Sequence, residues 1–430
     1  MLSYFKLIYN LYQIKKDKTI LLSNEFVSKL KKTIDGCGMI VIKMVQATIP
    51  IIELRKLLQN DEIFKKIKMD LDDYYSNCNE HYMEHTLNLY NKSFNKSLYD
   101  DYHIIDLIGS GSVAQVYKIR NKKTNKIYAM KVVHEYSYSE LLYFRILYFI
   151  VCKIYKNDIL NIEYSDIYEN IIKQYSMINE VKNMLLFKHT YESDIIKVPN
   201  IIQFSDDIII MDYIENEDIS EESKTNLISI LHYNQYYYKL FHGDIHKNNI
   251  VYKNDCIYLI DFGCSFIIPD ELDIKNTLIS LSPDDYINVI KYCISINKKN
   301  KNIDLSFIKT FREECIELKD KELKGKELKG KELNNSQTRI HTLFINLFLE
   351  TLNNNNVYIP YNLLLLLVNS VYYQINTNNK LLPSLYDICT ILKEHHKYSE
   401  IYEFINNSIK KKIKKRDEDY KHLKSLIKLE

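Results

Sequence analysis

The chain has 430 residues, 46% hydrophobic and 27% charged, and a formal net charge of +2, the balance of a soluble globular protein with two domains or one large two-lobed unit. Charge this even argues against a dominant nucleic-acid surface; a local basic patch is the most it allows, and no nucleic-acid partner is expected. The eight cysteines form no C-x-x-C pair and no apolar run reaches the ~18 residues of a membrane-spanning helix, so the chain reads as an intracellular protein of a reducing compartment, soluble or peripherally bound to a membrane, with neither a zinc site nor a disulfide framework.

Residues 1–100 carry apolar side chains at helical spacing and no hairpin signal, which predicts a helical extension. Its first 14 residues are rich in Tyr, Leu and Ile, with Lys6 the single charge; a helix packed on the core is expected there, and contact with a membrane surface is the alternative. From 102 the period changes to two. Residues 102–108 and 113–119 read as strands around Gly109-Ser110-Gly111-Ser112, and 126–133 as a third strand after the turn at 121–125. Residues 138–190 return to helical spacing. Short strands follow at 198–204 and 208–213, then a largely helical remainder broken by an apolar strand at 257–262. At 317–334 a five-residue repeat (ELKDK, ELKGK, ELKGK, ELNN) has little to bury and reads as a solvated helix or a disordered insert.

Glycine is scarce, eight in the whole chain, where ordinary usage of ~7% gives roughly 30. Each one retained is therefore expected where a side chain is not tolerated. Four of them fall in motifs that carry chemistry: Gly109, Gly111, Gly243 and Gly263. The first motif, Gly109-Ser110-Gly111-Ser112-Val113-Ala114, lies strand–turn–strand. That is the context of a kinase nucleotide loop rather than of a dinucleotide-binding turn. Twenty residues after Gly111 comes Ala129-Met130-Lys131, the A-x-K pattern in which an ammonium group meets the α- and β-phosphates of ATP. His242-Gly243-Asp244-Ile245-His246-Lys247-Asn248-Asn249 fits H-x-D-x-x-x-x-N: Asp244 to orient or deprotonate an attacking hydroxyl or water, Asn249 to hold a metal ion. Twelve residues on, Asp261-Phe262-Gly263 places a carboxylate at a strand end, suited to Mg2+ bridging phosphates. Glu180, on a predicted helix, is the candidate partner of Lys131. Met211 and Tyr213 belong to a hinge at 211–214 whose backbone meets adenine, with Asp212 structural. Any one of these patterns also has an ordinary structural reading, and His242 and His246 read equally as core or surface histidines; four motifs in the right order do not arise that way.

These residues resemble the UbiB (AarF-domain) family of atypical kinases. G-S-G-S-V-A-Q-V-Y-K at 109–118 is similar to that family's nucleotide loop, and H-G-D-I-H-K-N-N at 242–249 to its H-G-D-x-H-x-x-N catalytic loop. Lys43-Met44-Val45-Gln46 stands where the family has K-x-G-Q, with Val45 in place of the glycine. The resemblance runs over roughly residues 30–270 and implies an α+β, two-lobed protein-kinase-like fold. In it, a helical N-terminal extension occupies 1–100, an N-lobe 101–215 and a mainly helical C-lobe 216–430. It further implies that Lys43 and Gln46 point into the nucleotide site, and that the extension restricts access by protein substrates. The expected ligands are ATP and Mg2+. The expected activity is hydrolysis or transfer of the γ-phosphate, with a small-molecule or lipid-linked target in a context of quinone synthesis at membranes. A conventional Ser/Thr kinase is a competing reading, weakened because no A-P-E follows Asp261; small-molecule phosphotransferases usually lack D-F-G; a non-catalytic ATP-binding scaffold is the third reading.

Overall fold

The structure is a computed structural model that describes residues 2–46, 62, 63, 66, 71, 80–135, 138–154, 164–193, 195–272, 274, 282–296, 305–323 and 331–367. It is α+β, as expected. The extension begins with α1 (Leu2–Lys16), a 3-10 turn (Lys18–Leu22) and α2 (Asn24–Asp35), whose N-terminus is capped by the Ser23 side chain accepting from the Phe26 amide. Residues 39–46 are again helical. The expectation of a packed first helix holds for one face: Tyr4 and Leu7 are buried, and the Tyr4 hydroxyl donates to the Cys37 carbonyl at 2.7 Å. Leu2, Phe5, Tyr9 and Tyr12 lie on the exposed face.

Next come α3 (Met83–Phe94) and α4 (Leu98–Asp101), which lead into an antiparallel sheet of five strands. These are β1 (Tyr102–Ser110), β2 (Ala114–Asn121), β3 (Ile127–Val133), β6 (Ile208–Asp212) and β5 (Ile201–Phe204), hydrogen-bonded in that order. The inner strands β3 and β6 are buried on both faces over most of their length, whereas the outer strands β1 and β5 are largely open to solvent. On β3, Met130 and Val132 pack with Tyr90 of α3, while Ala129 and Val133 face the main core. The period of two thus sends Lys131 to the main-core face, along with Ile209 and Met211 of β6. Between β3 and β6 run α5 (Tyr138–Ile154), α6 (Tyr164–Gln174), α7 (Met177–Tyr191) and the short β4 (Ile196–Lys197).

The rest is mainly helical: α8 (Glu221–Tyr238), α9 (Pro283–Ser295), α10 (Ser306–Leu323) and α11 (Lys331–Asn354). Two small sheets sit among these helices. Strand β7 (Leu240–Phe241) pairs with β10 (Phe266–Ile267), and β8 (Ile250–Lys253) pairs with β9 (Cys256–Leu259), which also takes β4 in parallel. The strand expected at 257–262 is shorter, ending at Leu259, because Asp261 adopts a left-handed backbone (φ 63°) that a ladder does not accommodate. Of the repeat, 317–323 continues α10 and 331–334 begins α11, while 324–330 lies outside the described residues. No helix among the described residues is long and apolar enough to cross a membrane. Cys37, Cys152, Cys256, Cys264, Cys293 and Cys315 are free thiols; Cys78 and Cys389 lie outside the described residues.

Candidate active site

Three elements meet at Lys131. Its Nζ lies 2.7 and 2.8 Å from the two carboxylate oxygens of Glu180 and 2.9 Å from Oδ1 of Asp261. Glu180 sits in the first turn of α7, capped by Ser176 accepting from the Asn179 amide, and its side chain is 1% exposed. The same helix clamps the turn after Asp261. Glu180 Oε1 accepts from the Phe262 amide at 3.3 Å, and Asn183 Nδ2 donates to the Phe262 carbonyl at 2.9 Å. Burial alone pushes the Lys131 ammonium down, but the carboxylates of Asp261 and Glu180 outweigh it and the group is held above its ordinary range. Asp261 is likewise pushed up by burial and pulled further down by Lys131 and then Lys43, so it stays ionised. For Glu180 burial wins over Lys131, and its carboxyl titrates above the usual range.

The catalytic-loop residues fold into a tight turn between β7 and β8. Asn249 Nδ2 donates to the Asp244 carbonyl at 2.9 Å and lies 3.0 Å from His246 Nε2. That leaves Asn249 Oδ1 with no hydrogen bond among the described residues. Its backbone carbonyl accepts from the Ile260 amide at 3.1 Å, which sets Asn249 beside Asp261. An amide oxygen and an ionised carboxylate, the latter 44% exposed, are the hard oxygen donors that Mg2+ takes when phosphates complete its shell. Among the described residues no cluster of three His, Cys, Asp or Glu side chains could hold a metal by itself.

His242 is a core residue. Its amide donates to Gln235 Oε1 at 2.8 Å, Nε2 donates to the Ile260 carbonyl at 3.0 Å, and its ring packs against Phe187 and Phe262. Burial lowers its pKa from 6.5 to about 4. The unfolded chain therefore binds the extra proton between those values, and stability present above pH 6.5 is lost as pH falls towards 4, by about 1.4 kcal/mol per unit. Urea unfolding at pH 7 and pH 5 is expected to show this loss, and His242→Gln to remove about 2 kcal/mol of the difference; an equal loss in the variant assigns the acid sensitivity elsewhere.

At the nucleotide loop β1 runs through Gly109 and Ser110, and the hairpin closes where the Gly111 amide donates to the Ala114 carbonyl at 2.9 Å. The Val113 carbonyl accepts from the His134 amide at 2.9 Å. Both serine hydroxyls are engaged inside the protein: Ser112 donates to Gln46 Oε1 at 2.9 Å, and Ser110 Oγ lies 3.3 Å from His134 Nε2. The loop's outward offer is therefore its backbone. The expectation that every glycine excludes a side chain fails here. A Cβ on Gly109 has nothing within 4 Å, and one on Gly111 makes an ordinary 3.6 Å contact, so internal packing does not demand glycine at either position. On the hinge side, Ala129 pairs with Met211 across β3 and β6. Tyr213 follows with the Lys118 ammonium 4.3 Å above its ring, and Asp212 accepts from the Asn200 side chain at 2.6 Å, a structural role as expected.

The helical segment 39–46 covers this site. Lys43 Nζ lies 3.3 Å from Asp244 Oδ2, and Gln46 reaches Ser112. Burial pushes Lys43 down, but Cys264, Asp244, Asp261 and Tyr361 raise it above its ordinary value. Two of these neighbours have no signal in the sequence. The Cys264 thiol, pushed up to about 12 chiefly by burial, follows Asp261-Phe262-Gly263 without belonging to any motif, and Tyr361 arrives from a segment 97 residues further on. His134, three residues after Lys131, belongs to no motif either; a polar ring directly after the end of β3 is its one signal.

The sequence profile of the ABC1 atypical kinase-like domain matches residues 73–293, just over half the chain, from upstream of the nucleotide loop to α9. No curated protein matches the chain in sequence. Among solved structures, one from Mycobacterium tuberculosis, Rv3197 in complex with erythromycin, is similar at 14% identity and a TM-score of 0.37, over 69% of this chain and 82% of that one. The profile match bears out the resemblance to UbiB-type kinases, and the chain belongs to the ABC1 atypical kinase-like family.

Proposed function

We infer that the chain binds Mg-ATP between the 109–113 turn and the Asp244–Asp261 region and hydrolyses or transfers the γ-phosphate. The observation that carries this reading is the buried ammonium of Lys131, held at once by Glu180 from α7 and Asp261 beyond β9. A cation placed at hydrogen-bond distance from two carboxylates is oriented before any phosphate arrives, so little reorganisation is needed on binding. Glu180 keeps Lys131 in place, and Asp261, more exposed, is the carboxylate that would hold a metal together with Asn249. Asp244 accepts the proton of the attacking hydroxyl or water once Lys43 moves from it. Asp261 and Asn249 would hold Mg2+, which would supply neutralisation of phosphate charge. Because Lys43 and Gln46 lie over Asp244 and Ser112, the acceptor is a water or a small or lipid-linked molecule rather than a loop of another protein.

The test is Mg2+-dependent ATP hydrolysis by the purified full chain, wild type beside Asp261→Asn, with and without lipid and a generic protein substrate. Turnover is expected in the wild type and a loss of about 100-fold or more in the variant, with no protein labelled. Asp261-dependent protein labelling would make a conventional protein kinase the working model, and tight nucleotide binding without turnover a scaffold.

A further inference from the structure

We propose that His134 and His81 are positioning residues for the nucleotide loop, acting through one directed chain of hydrogen bonds that fixes the Gly111 carbonyl. The proposal rests on the reading of the 109–113 turn as a phosphate-binding loop.

The direction of the chain follows from what each atom can do. The Gly111 carbonyl only accepts, and His134 Nε2 lies 3.0 Å from it, so that nitrogen carries the proton. In a neutral ring His134 Nδ1 is then bare. It faces His81 Nδ1 at 2.7 Å, and one of those two must donate, so the proton is on His81. His81 Nε2 is bare in turn and accepts from Thr86 Oγ1 at 2.8 Å. Thr86 Oγ1 accepts from the Tyr117 hydroxyl at 2.9 Å, and Gln115 Nε2 donates to the Tyr117 oxygen. The chain ends where it began in the sheet, because the Gln115 side chain also accepts from the His81 amide at 3.0 Å and donates to the His81 carbonyl at 3.3 Å. With the His134 Nε2 proton shared between the Gly111 carbonyl and Ser110 Oγ at 3.3 Å, the donors and acceptors from Gly111 to Gln115 match when both imidazoles are neutral. Burial, the largest cause at each, holds their pKa values at about 3 for His81 and about 4 for His134. A third ring, His85, stands edge-on to His81 at 4.6 Å and binds the Val133 carbonyl at 3.1 Å.

The geometry says why this matters to the loop. In a planar trans peptide the carbonyl oxygen and the next N–H point opposite ways. With the Gly111 carbonyl turned towards His134, the Ser112 N–H points away from that ring, and no described residue is hydrogen-bonded to it. With no Cβ at 109 or 111 to restrict it, the backbone of the turn has several conformations open to it. The His134 contact selects those that leave the Ser112 amide unengaged, as an anion requires. His81 precedes α3, so the same contact ties the turn to the segment leading into the sheet.

Two measurements on the full chain test this. Nitrogen-15 imidazole spectra at neutral pH are expected to show His134 with its proton on Nε2 and His81 with its proton on Nδ1, the less common tautomer. His81 in the Nε2–H form overturns the proposal whatever the kinetics. In steady-state ATP hydrolysis, His134→Phe, which fills the ring's space without a donor, is expected to raise KM for ATP about tenfold, the worth of one hydrogen bond, with kcat within about threefold. His134→Gln, which restores a donor towards Gly111, is expected to recover most of the loss, and a purely packing role would not distinguish glutamine from phenylalanine in that way. A wild type that binds Mg-ATP with His134→Phe unchanged refutes the positioning role alone. A wild type that binds no Mg-ATP refutes the reading of the site, and this proposal with it.

Discussion

Gly243→Ala is expected to destabilise the protein by about 4 kcal/mol or more, while Gly109→Ala stays within about 1 kcal/mol of wild type. Gly243 has a left-handed backbone, φ +81°, and a Cβ built on it would lie 2.1 Å from the Cys264 carbonyl oxygen and 2.9 Å from its carbon. Those atoms are backbone, so no rotamer change relieves the clash. The chain on either side is pinned, because Phe241 pairs with Phe266 across β7 and β10 and the Ser265 amide donates to the Phe262 carbonyl at 3.2 Å. Alanine there must either break that pairing or leave its own allowed region. Gly38 is an intermediate case: its φ is +93°, but the atom a Cβ would meet first is a carboxylate oxygen of Glu140, which can rotate away. At Gly109 neither obstacle exists. Urea midpoints for the two alanine variants decide the matter. Equal midpoints would mean that the close approach of Gly243 to Cys264 is not a feature of the folded protein.

The contrast among glycines shows where sequence reasoning stops. Scarcity marks all of them alike, and only the path of a second strand of chain distinguishes Gly243 from Gly109. The features legible in the sequence were local ones. Periodicity placed Lys131 on β3, and helical spacing placed Glu180 in α7, because side-chain direction within one element follows from its repeat. The order of the four motifs carried the family. Strands β7 and β10 escaped notice because two residues have no period, and β1 extends to Ser110 because the hairpin closes on the Gly111 amide rather than at the first glycine. The resemblance at 43–46 put Lys43 near the site, but the approach of Tyr361 and Cys264 to it, and of His81 to His134, joins segments tens to hundreds of residues apart. No pattern in one chain encodes such contacts, since each end is an ordinary residue in its own surroundings.

Lys131→Met and Glu180→Gln are each expected to lower kcat/KM for ATP by about 100-fold or more, and the double variant by little more than the worse of the two. The reason is geometric. The Glu180 carboxylate receives both of its contacts with other side chains from Lys131 at 2.7 and 2.8 Å, so under the proposed function its effect on phosphate passes chiefly through that ammonium. Once the lysine is gone, what remains to Glu180 is the Phe262 amide at 3.3 Å, a longer contact that holds the turn and not the ammonium. Independent contributions would instead multiply, to a loss of about 10,000-fold in the double variant. Stability separates the two single variants. Lys131→Met leaves Glu180, 1% exposed, facing the Asp261 carboxylate with no cation between them, and breaking a buried pair in this way costs about 3 kcal/mol. Glu180→Gln leaves Lys131 paired with Asp261 and costs less. The deficit of Lys131→Met has a sign in pH. Burial already raises the Glu180 carboxyl, and without the opposing lysine it rises further; a raised carboxyl is stabilised by taking up its proton. The gap between Lys131→Met and wild type is therefore expected to narrow as pH falls below the raised value. Unfolding free energies for both proteins between pH 8 and pH 5 measure that gap; a constant difference would show that Glu180 stays ionised or that Asp261 swings away to solvent when the lysine is removed.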